Sequence, residues 1–256
     1  MLYFINFLLG AYLFLCGSCI GSFLNVVIYR VPRGISIAKG RSFCPGCGHT
    51  LRPLDLVPVF SFLFLRGRCR YCQMKISRRY PLVETIMGLA ALLVFGRTGL
   101  TLSLPIEFAA ASILAAAAFI DQDTMTIPNS LIVALAVPAL ALAVFVSQPG
   151  LLSRVIGFFV LSLPMFLLTL AIPDGFGMGD VKLIAVCGFL LGWENNLVAG
   201  FIALLLGVGY GIFLMIRDKN NRHAHIAFGP YLCIGVFTAM LYGNELIDGY
   251  MRLFGL

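Results

Sequence analysis

Charge is scarce in this sequence: only 11% of its 256 residues are Asp, Glu, Lys or Arg, against roughly a quarter in soluble domains. With 60% hydrophobic residues and a mean hydropathy of +0.98, that shortage excludes a soluble globular protein. A basic stretch ahead of the first apolar run is also lacking. That run starts at Leu2 and passes Ile28 without an A-x-A site, so a cleavable signal is excluded and 2–29 is expected to stay as a membrane helix. Acid is nearly absent between Arg30 and Tyr80, where eleven basic residues face one acid, Asp55. The positive-inside rule puts such a block in the cytoplasm. Topology alone explains the charge, so no nucleic-acid partner is expected. Histidine is rare too, and the His223-x-His225 pair supplies two ligands, which do not make a metal site.

What is abundant is apolar sequence. Segments fall near 2–29, 82–97, 104–121, 129–147, 151–172, 181–194, 197–216 and 227–250, separated by Gly, Pro, Asn or charge. The fold expected is an all-α polytopic membrane protein of about eight transmembrane helices, with a small cytoplasmic zinc-binding insert between the first two. The domains expected are 1–29 (first helix), 30–80 (insert) and 81–256 (a seven-helix membrane domain). Placing 30–80 inside and alternating puts fifteen of the eighteen basic residues inside; Arg97, Arg154 and Arg252 fall outside. Both termini are then periplasmic.

The polar block holds Cys44-Pro-Gly-Cys47 and Cys69-Arg-Tyr-Cys72, two C-x-x-C knuckles 21 residues apart. Four soft ligands in this spacing fit a closed tetrathiolate zinc site, structural rather than catalytic. Paired disulfides are the alternative, disfavoured by the reducing cytoplasm. An insert of about 50 residues buries too little apolar surface to fold unaided, so metal would supply the deficit. Cys16, Cys19, Cys187 and Cys233 lie in apolar runs and read as packing residues.

Acids inside apolar segments are expensive and point to function. Asp121 ends the third span and Asp180, in Gly177-Met-Gly179-Asp180-Val-Lys182, opens the sixth. Alternation places both at the cytoplasmic edge although they stand 59 positions apart. Two carboxylates in one site share a proton, so one serves as acid and the other as base, the arrangement of an aspartic peptidase. Asp123 is the competing partner, but it points to another helical face. Gly175, Gly177 and Gly179 are expected to adopt positive φ and let an extended peptide approach.

The chain resembles the type IV prepilin peptidases (leader peptidase/N-methyltransferases), intramembrane aspartic peptidases of the GXGD type. The resemblance rests on Gly21-Ser-Phe-Leu-Asn25-Val-Val-Ile-Tyr-Arg30-Val-Pro32, both knuckles, Asp55-Leu-Val-Pro58, Arg66-Gly-Arg-Cys-Arg70 and Ile76-Ser-Arg78-Arg79-Tyr-Pro-Leu-Val-Glu84. It continues through Ile120-Asp121, Gly177 to Lys182 and Phe228-Gly229-Pro230. It implies cleavage, at the cytoplasmic face of the bacterial inner membrane, of the basic leader of pilins or pseudopilins, the subunits of type IV pili and type II secretion. Asp121 and Asp180 match its catalytic aspartates, and Gly177, Gly179 and Lys182 its motif beside the substrate. It also implies methylation of the freed amine from S-adenosylmethionine. No nucleotide-binding pattern accompanies that activity. Asn25, Arg30 and Glu84 are its candidates, Glu84 either handling the amine or pairing with Arg78 or Arg79.

Two other functions compete. A proton-coupled transporter would hold its acids near the midplane, usually within an inverted repeat. A zinc-bearing assembly factor would tolerate loss of both aspartates. For the peptidase, the basic insert should repel a basic leader, so the leader is expected on anionic lipid or on carbonyls of residues 175–179. The substrate's apolar helix is expected to pack at Gly200, Gly207, Gly209 and Gly211.

Overall fold

The computed structural model describes residues 2–172, 177–217 and 227–255; Gly175, His223 and His225 lie outside them. It is helical throughout, and two isolated β-bridges are the only extended pairings among the described residues. Among the described residues ten α-helices occur in order: α1 Leu2–Arg30, α2 Phe60–Phe64, α3 Arg79–Thr98, α4 Ser103–Thr124, α5 Asn129–Phe145, α6 Leu151–Val160, α7 Ser162–Ala171, α8 Met178–Leu191, α9 Trp193–Arg217 and α10 Gly229–Leu253. Five stretches are long and apolar enough to cross a bilayer: Ile5–Arg33, Arg79–Thr98, Ser103–Thr124, Leu151–Ala171 and Trp193–Arg217. Phe7, Val133, Val144, Leu170 and Ile216 stand exposed on these and neighbouring helices, as lipid-facing side chains do. The chain is a multi-pass membrane protein.

Two compact units divide it, Met1–Leu104 and Pro105–Leu256. In the first, α1 packs along α3. A Cβ on Gly17 would lie 2.6 Å from the Met87 carbonyl, and one on Gly88 would meet Phe14 and Ser18, so glycines set the spacing of this pair. Residues 31–78 form the insert between them: two 3₁₀ turns, α2 and the cysteine knuckles.

In the second unit α8 is central, packing against α5, α6, α7, α9 and α10. Nine of its 14 residues are buried. It meets α6 at glycine, where a Cβ on Gly188 would overlap the Gly157 carbonyl, and Asn196 donates to that same oxygen at 2.9 Å. The fifth apolar segment is two helices, α6 and α7. Pro164 cannot donate to Val160, the ladder breaks at Leu161, and the Ser162 hydroxyl turns back to the Phe158 carbonyl.

Arg154, which the charge count puts on the outer side, is 2% exposed. Its guanidinium donates to the carbonyls of Pro149 (2.9 Å), Phe189 (3.2 Å), Leu190 (2.9 Å) and Leu142 (3.4 Å). Three of these belong to the last turns of α5 and α8, where helices leave carbonyls unpartnered and a cation complements the dipole. One side chain thus ties down the end of α8 opposite Asp180.

Candidate functional site

Two groups of chemically competent side chains occur, one in each unit. In the insert, the Sγ atoms of Cys44, Cys47, Cys69 and Cys72 all lie within 4.8 Å of one another. Tetrahedral zinc with bonds of about 2.3 Å sets its sulfurs ~3.8 Å apart, and Cys44 and Cys72 stand 3.8 Å apart. All four are free thiols, so the expected alternative of disulfides is not what the fold forms.

Each knuckle is built locally, by the same scheme 25 positions on. The Cys44 N–H donates to the His49 carbonyl and the Gly48 N–H to the Cys44 carbonyl; the Cys69 N–H donates to Met74 and the Gln73 N–H to Cys69. Bridges Phe43–Thr50 and Arg68–Lys75 close the two loops. Both turns need a left-handed residue after the second cysteine: Gly48 at φ 69° and, against type, Gln73 at φ 60°. Gly46 matters for a different reason, since a Cβ there would fall 2.4 Å from the Met74 sulfur. His49 stacks on Tyr71 with ring centroids 3.7 Å apart, joining one knuckle to the other.

Charge in this cluster calls for a cation. Burial opposes ionisation of Cys44, yet the N–H groups of Cys47 and Gly46 outweigh it and bring the thiol to about 7. For Cys72 the Met74 N–H favours the thiolate. Burial and the neighbouring thiols of Cys47, Cys69 and Cys44 oppose it, pushing the group up to about 11. Four thiolates together are stable only around a metal. Asp55 braces the loop, accepting from Arg70 Nε (2.8 Å), the Arg52 N–H (3.1 Å) and the Tyr71 hydroxyl (3.3 Å). Burial pushes its carboxyl up, but those donors together hold it below the usual range.

Asn25, Arg30 and Glu84 sit where the insert leaves α1 and enters α3, each engaged with backbone. The Asn25 amide donates to the Tyr80 carbonyl (3.2 Å), and Arg30 to the carbonyls of Ser36 (3.0 Å) and Lys39 (2.6 Å). Glu84 accepts the Val59 N–H at 2.7 Å, a bond to the insert's backbone. Val59 is held at φ 62°, strained for a β-branched residue. The three candidates anchor the insert through these backbone bonds.

In the second unit Asp121 and Asp180 are 4% and 7% exposed, within electrostatic reach of each other. Asp123, two positions on, is exposed. Asp121 comes from the last turn of α4 and accepts the Gly229 N–H at 3.0 Å. Asp180 lies in the first turn of α8, capped by Gly177, and its Oδ1 is buried without a hydrogen-bond partner among the described residues. The glycines act differently from expectation. Gly177, at φ −68°, and the helical Gly179 have ordinary backbones. What they supply is room: a Cβ on Gly179 would press on Ile127 at 3.1 Å, and one on Gly177 would come within 3.2 Å of Asp180 Oδ2. Lys182 donates to Asn129 Oδ1 at 3.1 Å, pinning the start of α8 to that of α5. Gly200 and Gly207 face Leu161, Phe228 and Tyr231, so they serve internal packing, whereas Gly209 is open. Sequence reasoning gave Gly229 no role, although Gly-Pro at a helix start was the available signal.

Comparison with known proteins agrees with this division. The bacterial peptidase A24 N-terminal domain matches residues 15–98, and the type IV leader peptidase family matches residues 108–212. The chain is 33% identical over 246 residues to the prepilin leader peptidase/N-methyltransferase of Bacillus subtilis (strain 168), covering 94% of this chain and 97% of that one. It is 35% identical over 274 residues to the protein of that name from Aeromonas hydrophila, covering 94% and 93%. To that of Myxococcus xanthus (strain DK1622) it is 37% identical over 240 residues, covering 88% and 71%. No solved structure matches it. With relatives this similar over nearly their full length, and matched domains running from α1 into α9, the chain belongs to the type IV leader peptidase family.

Proposed function

We propose that the protein removes the leader of prepilins or pseudopilins with Asp121 and Asp180 and methylates the new N-terminus from S-adenosylmethionine. The observation that carries the peptidase assignment is the buried pair itself: two carboxylates in electrostatic reach, one with an oxygen that no group among the described residues satisfies. Such a pair shares one proton. The ionised partner draws a proton from water, whose oxygen attacks the peptide carbonyl while the protonated partner donates to the carbonyl oxygen. As the tetrahedral intermediate collapses, the first carboxyl returns its proton to the leaving amine.

Eight spans, with α5, α8 and α10 joining the five longer stretches, put both carboxylates at the cytoplasmic face of the inner membrane and both termini in the periplasm. The fifteen basic residues this arrangement keeps inside support it. Lipid surrounds the helices, and nucleic acid has no part. Zinc on Cys44, Cys47, Cys69 and Cys72 would hold the insert together and take no part in proteolysis. S-adenosylmethionine supplies a methyl group, and no step is assigned to particular residues.

Incubating purified protein with a full-length prepilin and S-adenosylmethionine tests this by mass. Wild type should remove the leader and add one methyl. Asp121→Asn and Asp180→Asn should each lower cleavage by about 10³-fold or more. Near-wild-type cleavage by either variant refutes the dyad.

A further inference from the structure

Asp121 and Asp180 are not equivalently bonded. Asp121 Oδ2 takes the N–H of Gly229, 108 positions away, in a fully buried bond. Gly229 opens the 25-residue α10, and the next residue, Pro230, has no N–H to offer. A Cβ on Gly229 would lie 2.6 Å from Asp121 Oδ2 and 2.9 Å from its Cγ, so no residue but glycine allows this approach. Asp180 also lies in a helix's first turn, and its carboxylate also takes a backbone hydrogen bond, from Gly177. Helix dipoles therefore do not distinguish the two carboxylates. The unpartnered Oδ1 of Asp180 does.

We propose that Gly229 is a positioning residue that holds Asp121 as the ionised, water-activating carboxylate and leaves the shared proton on Asp180. The inference rests on the reading of this pair as the catalytic dyad. A backbone N–H stabilises the charged form of its acceptor. A buried oxygen with no donor suits a carboxylic acid, whose proton reaches toward water or the substrate carbonyl. The titratable groups facing Asp121 are Asp180 from α8 and Cys233 from α10, whose thiol lies against the backbone of Ala118 in α4. Lys182 is engaged by Asn129, and Asp123 lies on the exposed side of α4.

Gly229→Ala tests the assignment, with Gly249→Ala, where a Cβ meets nothing within 4 Å, as the control in the same helix. Losing the donor makes the Asp121 anion harder to form. Cleavage by Gly229→Ala at neutral pH should therefore fall roughly 10- to 100-fold in kcat/KM. The acidic limb of its pH profile, where activity is lost as pH falls, should move up by roughly one unit. Gly249→Ala should match wild type. Activity within about twofold of wild type, or a uniform loss with the limb unmoved, overturns the proposal. Should Gly229→Ala fail to fold, infrared spectra of the aspartate variants decide. A protonated carboxyl band near neutral pH should persist in Asp121→Asn and be absent from Asp180→Asn; the reverse overturns the assignment. Cleavage by Asp121→Asn at the wild-type rate would instead refute the dyad itself.

Discussion

In the insert, four sulfurs come from two stretches of four residues, each folded by hydrogen bonds spanning five positions or fewer. In the second unit, carboxylates 59 positions apart approach each other only once α8 is buried among its neighbours. The insert has little apolar interior and gathers four thiols that could hold a metal ion; the helical unit is held by glycine contacts and a buried arginine. Local construction leaves its mark in sequence spacing. A site assembled across the membrane leaves its mark only through topology.

Withdrawing the metal should separate the two regions most sharply. Purified protein should carry one zinc, and Cys72→Ser or a strong chelator should unfold the insert, because structural zinc contributes on the order of 10 kcal/mol to such small domains. Protease resistance of residues 31–78 reports the loss. Substoichiometric metal in fresh protein, or an insert equally resistant without it, breaks the comparison.

The next effect falls on the helical unit. Arg154→Ala strips the donor from four carbonyls, and with ~1–3 kcal/mol lost for each buried group left unsatisfied, the unit should lose about 3 kcal/mol or more. A thermal shift in detergent measures it, and zinc content should not change. An unchanged melting temperature would show that water replaces the guanidinium.

Much of this was legible in sequence for physical reasons. The C-x-x-C spacing anticipates four thiols in one cluster, and alternating apolar spans anticipate Asp121 and Asp180 within reach of each other. What escaped depended on atoms from elsewhere in the chain. Gln73 takes a left-handed turn where glycine would be expected, because its loop copies the geometry of Gly48. Gly46 is required by Met74, 28 positions on, and Gly229 by Asp121. Nothing in the sequence around Arg154 shows that helix ends converge on it.

The smallest effect concerns Asp55, whose carboxyl is held below its ordinary range. A depressed group stabilises the fold above its unfolded value, near 4, and that contribution is lost as pH falls through the folded value. Its partner Arg70 is half exposed, so Asp55→Asn should cost the insert less than ~1 kcal/mol at neutral pH. The difference from wild type should shrink as pH falls below the unfolded value and through the folded one. A penalty unchanged across that range would assign Asp55 a packing role instead.

The most direct measurement takes zinc content and leader cleavage from the same preparations of wild type, Asp180→Asn and Cys72→Ser. Asp180→Asn should keep its zinc and lose cleavage, while Cys72→Ser should lose its zinc and still cleave detectably. Cleavage by zinc-replete Asp180→Asn at near the wild-type rate would contradict the assignment of proteolysis to the buried carboxylates.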